Sequence, residues 1–205
     1  MRFVLASQSP ARLGVLRAAG IEPSVVVSGV DEDAVAAALP EPTPTELVTA
    51  LAVAKVEAVL DTVAGIHADA VVVGCDSMLS LDGEMLGKPG TPEVARKRWA
   101  QLAGRTGDLL TGHAVVRLHS GEPVGRATGS HTTHVRFADP SPEEIDAYIA
   151  TGEPLNVAGA FTLDGRGGWF VEGIDGDPSS VIGISLPLTR RLLAEVGVSV
   201  TDLWS

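Results

Sequence analysis

Two long stretches, Leu109–Leu118 and Val124–Phe137, carry strand-like patterns and are separated only by His119-Ser120-Gly121-Glu122-Pro123. Arms of that length around a glycine turn predict a long antiparallel hairpin, which commits the chain to a sheet. Further strands are expected at Phe3–Ala6, Ser24–Ser28 and the apolar run Ala70–Gly74, long enough for one buried strand, and Asp82-Gly83 reads as the turn of a short second hairpin. Between the strands fall helix patterns closed by glycine: Pro10–Ala19, Pro92–Leu102, Pro142–Ile149 and Leu186–Val196, with one more over about Pro44–Leu60. Several open on proline, whose missing N–H costs nothing at the first helical position. Alternation of this kind predicts mixed α/β architecture. With 205 residues, 45% of them hydrophobic, and no linker longer than the proline-bearing Leu39–Thr45, a single domain over residues 1–205 is expected.

The formal net charge of −11 comes from scattered acidic residues, which disfavours nucleic acid and anionic membrane surfaces as partners. A phosphorylated ligand must then be held by local cations or by a metal. The one cysteine, Cys75, excludes an intrachain disulfide framework and fits a reducing compartment. No apolar stretch approaches the roughly 18 residues of a spanning helix, and the first residues lack a signal-peptide pattern, so a cytoplasmic protein is expected.

Helix starts carry the first chemical signal. An N-terminus holds a partial positive charge and favours Asp or Glu in its first turn. Thr45 is followed by Glu46, Thr91-Pro92 by Glu93, and Ser141-Pro142 by Glu143 and Glu144, the last a capping-box pattern. In Leu5-Ala6-Ser7-Gln8-Ser9-Pro10-Ala11-Arg12 the corresponding position is Arg12, a cation where the dipole disfavours one by about 0.3–1 kcal/mol. Two readings stand: an anion on the helix start with the Ser7 and Ser9 hydroxyls beside it, or a capped helix whose arginine bends to solvent or to a surface carboxylate.

Lys55 lies on an apolar helix stripe, four residues from both Leu51 and Val59. It either snorkels to water or aims its ammonium into a cleft. Lys88, in Leu86-Gly87-Lys88-Pro89-Gly90, is a loop lysine. Asp76 appears where Val71-Val72-Val73-Gly74-Cys75 loses its apolar character, which is where open α/β sheets gather ligands, although a turn aspartate looks the same. Asp31, Glu32 and Asp33 form an acidic cluster able to share Mg²⁺ or Mn²⁺ with Asp76, or simply a solvated loop. The histidines lack metal-site spacing, no glycine-rich phosphate loop is present, and Cys75 reads as a buried thiol.

In their shared order, Leu5-Ala6-Ser7-Gln8-Ser9-Pro10-x-Arg12, Gly74-x-Asp76, Leu86-Gly87-Lys88-Pro89, Leu102-Ala103-Gly104-Arg105-Thr106, Glu144-Ile145-x-x-Tyr148, Ala158-Gly159-Ala160-Phe161 and Ile174-Asp175-Gly176-Asp177 resemble the Maf family of nucleoside triphosphate pyrophosphatases, also called septum-formation inhibitors. The resemblance implies an elongated mixed sheet flanked by helices, related to inosine triphosphatases, with a cleft between two lobes. It implies hydrolysis of a nucleoside triphosphate, non-standard ones included, to the monophosphate and diphosphate. Asp76 matches the proton acceptor; Ser7, Ser9, Arg12, Lys55 and Lys88 match substrate-binding positions; Glu32 and Asp76 match the carboxylates for Mg²⁺ or Mn²⁺. A homodimer is among the assemblies it allows.

Ala11, Ser77 and Asp164 stand at positions that separate subgroups, and they fit neither the Arg, Thr, Gln set that prefers dTTP and UTP nor the Trp, Gln, Glu set that takes 7-methyl-GTP. Other departures are Ala11 in place of a first arginine, Gly107 for a frequent histidine, Val157 for a frequent lysine, and Gly183-Ile184-Ser185-Leu186-Pro187 where Gly-Leu-Pro is usual. The family name also admits a second class of function, a nucleotide-sensing or partner-binding regulator of cell division with little catalysis.

Overall fold

The computed structural model describes residues 1–204. In chain order its elements are β1 (Arg2–Leu5), α1 (Pro10–Ala18), β2 (Ser24–Val25), α2 (Glu32–Ala37), α3 (Pro44–Glu57), α4 (Leu60–Ile66), β3 (Ala70–Leu81), β4 (Glu84–Leu86), α5 (Pro92–Leu102), β5 (Thr106–His119), β6 (Glu122–Phe137), α6 (Pro142–Ala150), β7 (Val171–Asp175), α7 (Pro178–Ile182) and α8 (Leu186–Glu195), with short 3₁₀ turns between and after them. Among the described residues seven strands form one mixed sheet in the order β2-β1-β3-β5-β6-β7, with β4 also paired to β3. The α/β class expected from the sequence is therefore observed. The chain forms two compact units: residues 1–76, 111–131 and from Gly183 onward make the first, and 77–110 with 132–182 make the second.

In the first unit β1 pairs in parallel with both β2 and β3, Leu5 standing opposite Val25 and Val73. Parallel strands buried on both faces need apolar residues at every position, and the period of two then sorts them between two cores. Phe3, Leu5, Val71, Val73 and Cys75 pack with Leu16, Leu188, Leu192 and Leu193. Val4, Ala6, Ala70 and Val72 pack with Ala52, Val56 and Val63.

In the second unit β3 continues into a hairpin with β4, turned at Asp82 and Gly83 with φ of 52° and 86°, and β6 pairs antiparallel with β7. Its core is built on Trp99, fully buried, with Phe137, Tyr148 and Phe170 edge-on or near edge-on at 5.6–5.9 Å. The indole N–H donates to the Ala160 carbonyl at 2.9 Å, so the one polar atom of that side chain is satisfied.

Several expectations change. Strand β3 does not end at Gly74 but runs on to Leu81, which puts Asp76 inside a strand rather than at its end or in a turn. The pattern at Ser24–Ser28 yields only two paired residues. Asp31-Glu32-Asp33 is not a loop: Asp31 caps α2, its carboxylate accepting the Ala34 N–H at 3.0 Å, and the acidic first turn suits the helix dipole. The helix expected over Pro44–Leu60 stops at Glu57 and a separate α4 starts at Leu60. Its cap is Thr43, not Thr45; Pro44 is the first helical residue and Glu46 closes the capping box. The box at Ser141 and the caps at Ser9 and Thr91 fall where expected.

Candidate active site

The centre of the first unit depends on how closely α3 approaches the sheet. A Cβ on Gly74 would lie 2.8 Å from the Ala52 carbonyl oxygen, and one on Gly112 would lie 2.2 Å from that of Val48. Only glycine permits such contact between a strand and a helix backbone. Asp76 follows Gly74 by two residues and so faces the same helix, and Lys55 sits on the buried side of α3 among Leu51, Ala52 and Val56.

Lys55 does not snorkel. Its Nζ lies 2.5 Å from Asp76 Oδ1 and 2.7 Å from Glu32 Oε1, with the lysine and aspartate side chains 10% and 8% exposed. A buried charge needs partners of this kind, and one ammonium between two carboxylates leaves the trio short of one positive charge. Burial pushes the Asp76 carboxyl above its ordinary range, an effect that the Lys55 ammonium and, more weakly, the Arg12 guanidinium only partly offset. Oδ2 of Asp76 is buried with no protein hydrogen-bond partner. A lone oxygen of that kind in a native core asks for an occupant. Glu32 and Asp76 carry the hard oxygen donors that Mg²⁺ and Mn²⁺ take, and both face the Lys55 ammonium; among the described residues no third such side chain joins them.

Arg12 turns back onto the protein. Its Nε donates to the Gly183 carbonyl at 2.7 Å and its Nη1 to Ser7 Oγ at 3.2 Å. Ser9 caps α1 by accepting the Arg12 N–H at 3.4 Å, and Ser7 Oγ also accepts the Ser9 N–H at 3.2 Å. Both hydroxyls thus spend acceptor capacity on the Arg12 turn and keep an O–H to offer an anion. Ala11 is half-buried as the second residue of α1. Cys75 points into the opposite core, where burial raises its thiol pKa to about 12, so it is no nucleophile.

Asp76, Lys55, Glu32, Arg12, Ser7, Ser9 and Ala11 therefore all belong to the first unit, with the first three in direct contact. Lys88, exposed after β4, Ser77, half-exposed within β3, and Asp164, exposed before the 3₁₀ turn Arg166–Phe170, belong to the second. Sequence reasoning passed over Gly112, whose signal is a glycine inside a long strand pattern, and the role of Gly183 as the seat of Arg12, which a sequence pattern does not carry.

A mixed α/β protein with a buried carboxylate, a buried ammonium and a guanidinium at a helix start is the class that fold and site define. The chain belongs to the family of Maf-like proteins, whose model matches residues 2–196. A relative named nucleoside triphosphate pyrophosphatase from Saccharopolyspora erythraea is 72% identical over 205 residues, covering 100% of this chain and 97% of the relative. One of the same name from Nocardia farcinica is 66% identical, covering 98% and 96%. Among solved structures, the Staphylococcus aureus Ham1 protein is similar with a TM-score of 0.41 and 16% identity, over 68% of this chain and 73% of that one.

Proposed function

We propose that this protein hydrolyses nucleoside triphosphates to the monophosphate and diphosphate, with Asp76 as the general base. The observation that carries this reading is the Asp76 carboxylate itself, buried on β3, tied through Oδ1 to Lys55 and left with Oδ2 unpartnered. The shared name of the close relatives supports the same reaction.

A water hydrogen-bonded to Oδ2 loses its proton to Asp76 as its oxygen bonds to the α-phosphorus. The bond from that phosphorus to the bridging oxygen then breaks, and its electron pair leaves with the diphosphate. A carboxyl raised above its usual range is a better proton acceptor than a solvated one. Lys55 holds Oδ1 and so fixes the direction of Oδ2. Arg12, held flat by Gly183 and Ser7, offers N–H donors and charge to the phosphates, as do the hydroxyls of Ser7 and Ser9 and the ammonium of Lys88. Glu32 and Asp76 would hold Mg²⁺ or Mn²⁺, which when bound draws charge from the phosphate oxygens.

Base choice falls to Ala11, Ser77 and Asp164. An ionised Asp164 only accepts hydrogen bonds, which suits the amino groups of guanine or cytosine, whereas a carbonyl of uracil or thymine facing it would cost about 1–3 kcal/mol. Assay of a nucleoside triphosphate panel in ¹⁸O-water with Mg²⁺ and with Mn²⁺ tests the whole reading. Label is expected in the monophosphate, and GTP and CTP are expected to exceed dTTP and UTP. Label in free phosphate, with diphosphatase excluded, would place attack on the γ-phosphorus. A tenfold preference for dTTP or UTP would remove Asp164 as the reader of the base.

A further inference from the structure

The stretch Gly183-Ile184-Ser185-Leu186-Pro187 joins Arg12 to a residue far from it in sequence. Gly183 adopts φ of +127°, and a Cβ there would lie 3.1 Å from Arg12 Nε, so only glycine lets the chain lie against the guanidinium and present its carbonyl at 2.7 Å. Two residues on, Ser185 is the N-cap of α8, its hydroxyl accepting the Leu188 N–H at 3.2 Å. The Ser185 N–H points into the core and donates to Nε2 of His113 at 2.9 Å.

His113 lies within β5 with no exposed surface. Its other nitrogen, Nδ1, is 3.1 Å from the Thr111 carbonyl oxygen. A backbone N–H can only donate and a carbonyl can only accept, so the ring is neutral with its proton on Nδ1. Nδ1 thus fixes the ring on its own strand, and Nε2 holds the backbone at Ser185 against β5.

We infer that His113 is a positioning residue for Arg12: by fixing Ser185 it fixes Gly183, and the Gly183 carbonyl in turn orients the guanidinium. This rests on the proposed contact of Arg12 with the phosphates. A solely structural histidine would lower the Tm and leave the site unchanged. A positioning histidine sets the Arg12 geometry as well, and a misplacement of about 1 Å at a reacting site costs up to about a hundredfold in rate.

The test uses His113→Met, which removes the acceptor, His113→Gln, which can restore it, and Arg12→Ala, with the double variant His113→Met/Arg12→Ala. Because His113→Met changes the core, a second pair acts from the loop side. Ser185→Pro deletes the N–H at a residue whose φ of −74° already suits proline, and Ser185→Ala removes only the cap hydroxyl. Activity is measured well below every Tm, and the Arg12 Nε–H signal, assigned from Arg12→Lys, is followed by ¹H–¹⁵N NMR without nucleotide.

His113→Met and Ser185→Pro are expected to lower kcat/KM by roughly ten- to a hundredfold and to shift or broaden the Arg12 Nε–H signal. His113→Gln and Ser185→Ala are expected to stay within about threefold of wild type and keep the signal, an expectation that assigns the larger loss to the N–H acceptor. Adding His113→Met to Arg12→Ala should change little, since the two act as one unit. An unchanged Arg12 signal in folded His113→Met or Ser185→Pro, or full additivity with Arg12→Ala, overturns the inference alone. Wild-type turnover by Arg12→Ala overturns the phosphate role of Arg12 and this inference together. Absence of turnover in the wild type overturns the proposed reaction, and the Arg12 signal still decides whether His113 sets that side chain.

Discussion

In the proposed reaction Asp76 concentrates the chemistry in one carboxylate. Asp76→Asn keeps its shape and removes its capacity to take a proton, so kcat is expected to fall by about 10²–10⁴ while the fold and nucleotide binding persist. Retention of more than about a tenth of wild-type kcat, at equal metal affinity, would deny it the role of base. The neighbouring Cys75 is its chemical opposite, with a thiol pushed up to about 12 by burial on the other face of β3. It is expected to stay unreactive toward a disulfide reagent at pH 8 in the native protein and to react once the chain is denatured. Fast labelling of the native protein would show that its core opens readily. Both side chains were visible as residue types in the sequence. That one aims at a helix and the other at the opposite core follows from the strand period only once β3 is known to continue past Gly74.

At the scale of elements, caps are legible and packing distances are not. Ser9, Thr91 and Ser141 announce their helices because a cap is a local hydrogen bond between residues three apart. Helix α2 is hidden: it buries no residue, so it has no apolar stripe to read, and its acidic first turn looks like a solvated loop. Strand β3 is hidden from Asp76 onward because polar residues interrupt its apolar run. The seating of α3 is hidden as well, since nothing in a sequence says that Gly112 lies under the Val48 carbonyl. Gly112→Ala would force those backbones apart and is expected to destabilise the protein by about 1–3 kcal/mol or more, measured as a lower midpoint in urea. An unchanged midpoint would mean that α3 moves freely.

The 3₁₀ segments of the second unit are held by Glu153, whose Oε1 accepts from the Thr162 hydroxyl and from the Gly167 N–H at 3.1 Å. Burial pushes its carboxyl up, but these hydrogen bonds together outweigh that and leave it below its ordinary range. A carboxyl lowered on folding stabilises the native state above its unfolded pKa of about 4.3, and that contribution disappears as pH falls through the lower folded value. Glu153→Gln should therefore cost about 1 kcal/mol near pH 7, and the difference from wild type should shrink below about pH 4.3. A difference that is constant with pH would mean that the charge of Glu153 contributes nothing.

For the whole molecule, the sheet decides how stability is shared. Strands β3, β5 and β6 each contribute residues to both units, so loss of one unit's core is expected to be felt along the same strands. Trp99→Ala empties the core of the second unit and is expected to cost about 3–5 kcal/mol. Unfolding of this variant should remain a single transition, with the far-ultraviolet signal and the exposure of Cys75 in the first unit sharing one midpoint. Two separated transitions would show that the units unfold independently.

The same interleaving reaches into synthesis. Gly183 and Ser185 are synthesised after every other residue of the proposed site, and Arg12, made 171 residues earlier than Gly183, has no carbonyl to rest on until then. At about 5–20 residues per second, Arg12 must wait on the order of ten to thirty seconds for that partner. A nascent chain interrupted before Gly183 carries Asp76, Lys55 and Glu32 but lacks the clasp for its guanidinium, so seating of Arg12 waits on synthesis through Gly183.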